Sequence, residues 1–184
     1  MLATPYAELP LVVRQEEEPY DAICRVLLER RQTRFLLDAF AESSSEIARC
    51  LLVSRVLYQI HDPAVVAAFK RRLAESEREE DYYVANYLGE LGDVKALEIL
   101  NRHYFRYPVS SLKWSFTASL FGKFNYRPAI PNLIDSLNAA SLNLAGAALE
   151  SLQALYPGAP THFKTLAEAQ EYFENQANEE GTSG

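Results

Sequence analysis

The sequence predicts an all-α fold of about ten helices arranged as five antiparallel pairs. Three observations carry that prediction. Three segments of the 184-residue chain repeat one apolar pattern at offsets of 31 and 33 residues. Each segment holds helix-stop and helix-start residues near its middle. No stretch alternates apolar and polar residues with period two for long enough to be read as a strand.

The repeating segments are residues 53–69, 84–100 and 117–133. Leu57, Leu88 and Phe121 are equivalent, as are Ile60, Leu91 and Phe124; Ala64, Lys95 and Pro128; Val65, Ala96 and Ala129; and Phe69, Leu100 and Leu133. In the first segment Asp62 is placed to cap a helix whose first position is Pro63, where a missing N–H costs nothing. In the second, Asp81 caps a helix through Val84, Tyr87, Leu88 and Leu91. Gly92 ends that helix, and Asp93 caps the next, whose apolar face is Ala96, Leu97, Leu100 and Tyr104. The third segment places Asn125, Tyr126 and Arg127 at the same turn. Residues 19–31 and 33–40 form an earlier pair. Residues 142–156 and 166–173 form a later one, divided by Pro157, Gly158 and Pro160. This gives an N-terminal segment over 1–18, a helical-repeat domain over 19–174 and a flexible acidic tail over 175–184.

The run LGELGDVKALEIL, with Leu88, Gly89, Leu91, Gly92, Asp93, Ala96, Leu97 and Leu100, resembles the core of a HEAT repeat. The similarity is closest to the short bacterial form shared with phycobilisome-lyase-like repeats. The third segment keeps Gly122, Ala129, Ile130 and Leu133, while the first has Tyr58 in place of the inner glycine. The resemblance covers roughly residues 45–156 and implies a right-handed α-solenoid, in which neighbouring pairs share a continuous core. Gly89 and Gly122 are expected where successive first helices touch. The fold implies no single task.

Composition narrows the function. The net charge of −7 is uneven: residues 1–19 carry −3 and residues 165–184 carry −5, leaving the body, 20–164, at +1. A near-neutral body supplies little of the phosphate attraction on which nucleic-acid binding rests, although some HEAT-like proteins are DNA glycosylases. No uncharged run is long enough to span a membrane. Residues 1–14 lack the basic start of a secretory signal, so the expected location is the cytoplasm. Cys24 and Cys50 lie in apolar helical patterns and read as buried thiols. His61, His103 and His162 have no ligand spacing to a Cys or a second His, so neither a metal nor a cofactor is expected. His61-Asp62 matches one fragment of a phosphohydrolase signature, and a helix cap accounts for the Asp. The cluster Glu79, Glu80 and Asp81 reads as a solvated approach to a helix N-terminus.

These readings favour a non-catalytic protein-interaction module, a scaffold, adaptor or inhibitor/immunity-type binder. Its partner is another protein, held on the face of the second helices. The repeat offsets make Arg71, Arg102 and Asp135 equivalent, and likewise Ala67, Glu98 and Pro131. The expected partner-binding residues are Arg71, Glu98, Arg102, Asp135, Tyr104 and Trp114. The last two belong to an aromatic-rich stretch, Tyr82 to Tyr126, of which about half is needed as core by helical spacing and the remainder is available as an exposed patch. The family resemblance implies an alternative, handling of a bilin chromophore, with Arg102, Arg106, Tyr104 and Trp114 supplying charge and aromatic walls.

Overall fold

The computed structural model describes residues 33–42, 56–60, 62–75, 81–104 and 110–182. Every regular element among them is helical. Eight α-helices follow in order: α1 (Thr33–Glu42), α2 (Pro63–Glu75), α3 (Asp81–Glu90), α4 (Val94–Arg102), α5 (Ser111–Lys123), α6 (Ile130–Ser136), α7 (Leu142–Leu155) and α8 (Leu166–Thr182). Two 3-10 turns, Leu57–Gln59 and Arg127–Ala129, stand before α2 and α6. The chain forms two compact units, residues 1–68 and 69–184, with the division falling inside α2.

In the first unit, α1 buries Leu36 and Phe40, one turn apart. The expected earlier helix over 19–31, both cysteines and His61 lie outside the described residues. Where the first repeat segment was expected to end a helix, the described part is a single 3-10 turn at Leu57–Gln59. Asp62 caps α2 as expected, its Oδ1 accepting from Ala64 N at 2.8 Å.

In the second unit, Gly92 takes the left-handed conformation, with φ 78°. Its N–H donates to the Gly89 carbonyl at 2.9 Å while Asp93 N–H donates to the Leu88 carbonyl at 3.0 Å. This closes the end of α3 and satisfies carbonyls that the helix leaves orphaned. The equivalent turn after α5 repeats the arrangement with Asn125 at φ 51°, Asn125 N–H donating to the Gly122 carbonyl and Tyr126 N–H to that of Phe121. Asn tolerates this conformation better than other side-chain-bearing residues.

Burial follows the repeat columns. Leu57, Leu88 and Phe121 are buried, as are Val65, Ala96 and Ala129, and Phe69, Leu100 and Leu133. Ala64, Lys95 and Pro128 are exposed in all three copies. The column of Ile60, Leu91 and Phe124 departs from the expected core: Leu91 is exposed and the other two are half-buried, because the position falls at the turn between helices.

Several side-chain hydrogen bonds between elements span 31–33 residues. Tyr82 OH donates to the Lys113 carbonyl (2.8 Å) and Asn86 to Thr117 Oγ1 (3.3 Å), both across 31 residues, joining α3 to α5. Asn132 donates to Asn101 across 31 residues, and Ser136 just beyond it donates to Tyr104 OH across 32. Ser151 on α7 donates to the Ala118 carbonyl on α5 across 33 residues at 2.9 Å.

Two expectations are corrected. Asp81 is not solvated: it is fully buried at the start of α3, where its Oδ1 accepts from Arg72 Nε at 2.8 Å. Nor are residues 175–182 a loose tail. The final helix continues to Thr182, and Glu180 is held by Arg127.

Candidate partner-binding face

The face built by α4 and α6 begins with a cap. Asp93 accepts from Ala96 N at 3.0 Å and pairs with Lys70 Nζ at 2.8 Å. Burial pushes its carboxyl up, but the Lys70 bond and the Ala96 N–H outweigh that and hold it below the usual carboxylate range. The cap, one residue beyond the left-handed Gly92, therefore starts α4 at Val94, and spacing of three and four residues then sets its exposed row. Lys95, Glu98 and Arg102 face solvent while Ala96, Leu97, Ile99 and Leu100 are buried.

Glu98 and Arg102 meet one turn apart, Arg102 Nη2 donating to Glu98 Oε1 at 2.6 Å. The phenol of Tyr126, half-buried at the turn before α6, feels both. Burial raises its pKa first, the Glu98 charge adds to the rise and the Arg102 charge opposes it. Beside this trio, Asn132 Nδ2 donates to the Asn101 carbonyl at 2.9 Å and to Asn101 Oδ1 at 2.8 Å. Asn101 Nδ2 in turn donates to the Pro128 carbonyl at 3.2 Å. The two helices are thus fixed to each other by amides, which leaves Glu98, Arg102, Pro131 and Asp135 exposed.

Of the six residues expected to bind a partner, the structure places Arg71, Glu98, Arg102 and Asp135 at the surface. Tyr104 and Trp114 are corrected: they are 5% and 2% exposed. Their rings stand edge to face at 5.0 Å, and Trp114 meets Tyr82 in the same way at 5.2 Å. Tyr82 and Tyr104 are both pushed up to about 12 by burial. The sequence placed these rings between units, where a core has most need of large apolar groups, and they fill it. They supply neither an exposed recognition surface nor the aromatic walls of a bilin groove. Arg106 lies outside the described residues.

Other apolar side chains occupy the surface instead. Leu112 and Phe116 lie one turn apart on the solvent side of α5, and Leu142 at the start of α7 is 81% exposed. Phe116 belongs to the aromatic stretch that the sequence divides between core and exposed patch, while periodicity gives Leu112 no special role. A signal existed: α5 is apolar around most of its circumference, more than one buried stripe requires.

Among the described residues no group of three or more His, Cys, Asp or Glu side chains could hold a metal ion. No described helix is long and apolar enough to cross a membrane. No family model matches the chain, and neither the curated proteins nor the solved structures give a match.

Proposed function

We propose that the chain is a short HEAT-like, right-handed solenoid that binds another protein through the face of its second helices, acting in the cytoplasm as a scaffold, adaptor or inhibitor-type binder. Two features support the repeat reading. Four of the five columns read from the repeat share one burial class, and several inter-helix hydrogen bonds span 31–33 residues, which is one period.

The observation that carries the functional reading is the exposure of two whole columns, Arg71, Arg102, Asp135 and Ala67, Glu98, Pro131. In a stacked arrangement the members of these columns that belong to the second unit, Arg71, Glu98, Arg102, Pro131 and Asp135, form a surface of mixed charge. Hydrogen bonds between the Asn101 and Asn132 side chains tie α4 to α6, so a partner would meet Glu98, Arg102, Pro131 and Asp135 on elements already joined. The mixture of Arg, Glu and Asp suits a protein surface better than a phosphate backbone.

The test is the double variant Arg71→Glu with Arg102→Glu, compared with the unmodified chain in capture from the native host. It should melt within a few degrees of the unmodified chain and lose the protein that the latter recovers. Equal affinity of both chains for that protein would move the interface off this face.

A further inference from the structure

Arg127 makes an arrangement that neither the fold nor the proposed face requires. Its Nη1 donates to the Leu155 carbonyl at 2.8 Å, at the C-terminus of α7. Its guanidinium carbon lies 4.9 Å from the centre of the Tyr156 ring. Both contacts fix the guanidinium plane before any carboxylate arrives. What remains is Nη2, which donates to both carboxylate oxygens of Glu180 at 2.5 Å, and Tyr156 OH, which donates to Glu180 Oε2 at 3.3 Å. Arginine and phenol thus form a two-donor receptor for one carboxylate. Burial first, and then the Glu180 charge, raises the Tyr156 pKa, so the phenol stays a donor at neutral pH.

The carboxylate now in that receptor is weakly committed to it. Buried anchors of α8 end at Phe173; beyond it Gln176 and Ala177 are half-buried, and Asn175, Asn178, Glu179 and Glu180 are exposed. Negative charge at a helix C-terminus opposes the macrodipole, and the last turn of α8 carries Glu179 and Glu180 with no basic residue. The Arg127 and Glu180 side chains are themselves 40% and 52% exposed, the class of ion pair easily exchanged with a competitor.

We propose that Arg127 and Tyr156, oriented by the Leu155 carbonyl, form a binding subsite for the side-chain carboxylate of an acidic peptide, which the chain's own Glu180 occupies until the end of α8 lifts. Glu180 is then an internal competitor. Its removal opens the subsite without touching Arg71 or Arg102, so success or failure here is separate from that of the proposed partner-binding face.

The probe is a synthetic peptide of residues 174–182, acetylated and amidated so that only its side chains carry carboxylates. Binding is read by NMR at millimolar peptide. The Glu180→Gln chain should bind it about ten-fold more tightly than the unmodified chain, because the tethered competitor is gone. Adding Arg127→Gln to that variant should abolish the gain, and circular dichroism should show the same helix content in all three chains. Equal binding by Glu180→Gln and the unmodified chain would overturn the proposal, as would a gain that survives Arg127→Gln. A third arm uses the same peptide with every Glu replaced by Gln and its terminal carboxylate left free. If only this peptide binds, the subsite reads chain termini and the acidic-peptide assignment falls.

Discussion

Between α5 and α7 the two helices meet where side chains are missing. A Cβ built on Gly122 would stand 2.7 Å from Ser151 Cα, and Ser151 Oγ reaches the Ala118 carbonyl at 2.9 Å. Between α4 and α6 the contact is made by side chains that reach, the Asn101 and Asn132 amides. The first contact is backbone against backbone and cannot yield. The second spans a gap with groups that rotate, and it leaves the outer rows of both helices free to vary. Gly122 and Ser151 therefore set the separation of α5 and α7, while α4 and α6 can change their exposed residues with little effect on how they meet.

The largest effect should come from Gly122→Ala. One methyl must displace the Ser151 backbone, and overpacking of this kind costs about 3 kcal/mol, the upper end of its usual range. Gly89→Ala is the control. Its Cβ meets the Leu100 and Leu120 methyls at 3.2 Å, which are ends of flexible side chains. A cost of about 1 kcal/mol or less is expected there, since alanine's better helix propensity offsets the crowding. Gly146 on α7 has nothing within 4 Å, so Gly146→Ala should stabilise by about 0.5–1 kcal/mol. Urea midpoints of the three variants measure this. Equal losses at Gly122 and Gly89 would remove the distinction between rigid and yielding contacts.

On the other side, Asn132→Ala removes both donations to Asn101. Two hydrogen bonds in a partly solvated setting are worth about 1–2 kcal/mol together. A loss as large as that at Gly122 would mean that the amides, and not the small residues, set the helix spacing.

Much of this division was legible in the sequence. Gly89 and Gly122 announced close approach, Gly92 a left-handed turn, and Asp62 and Asp93 the helix caps, because each of these is decided by one residue's own geometry. The exposure of the second-helix columns also followed from the period. What was not legible depended on residues far apart in the chain. Tyr104 and Trp114 looked amphipathic enough for a surface and became core, since only the folded arrangement brings Tyr82 and Trp114 within 5.2 Å. Glu180 looked like part of a solvated tail because its partner, Arg127, lies 53 residues away. Asp81 looked solvated because its neighbours Glu79 and Glu80 are acidic, while Arg72 lies a helix earlier.

A smaller effect tests the start of α4. The carboxyl of Asp93 titrates below its ordinary range, so its charged form is favoured by folding. The contribution is complete above the unfolded value, about 3.9, and disappears as pH falls through the lower folded value. Asp93→Asn keeps an oxygen for Ala96 N–H but cannot titrate. The expected outcome is a loss of about 1 kcal/mol or less at pH 6, and a fall in urea midpoint from pH 6 to pH 3 shallower than in the unmodified chain. Parallel pH curves for the two chains would show that Asp93 carries no linked proton.

The smallest effect belongs to the exposed row itself. The Glu98–Arg102 pair is short at 2.6 Å, but both side chains are about half exposed, at 57% and 47%. Solvent screens the pair, and its i,i+4 placement on a helix is worth about 0.3–0.5 kcal/mol. Glu98→Ala should therefore shift the urea midpoint by less than any variant above. A greater loss than from Asn132→Ala would make this row part of the framework that holds α4 and α6 together. A loss within a few tenths of a kcal/mol leaves Glu98 and Arg102 with little structural work, as a surface kept for recognition requires. In that case Glu98→Ala should leave stability nearly unchanged and alter the affinity for whatever protein the Arg71→Glu, Arg102→Glu variant fails to hold.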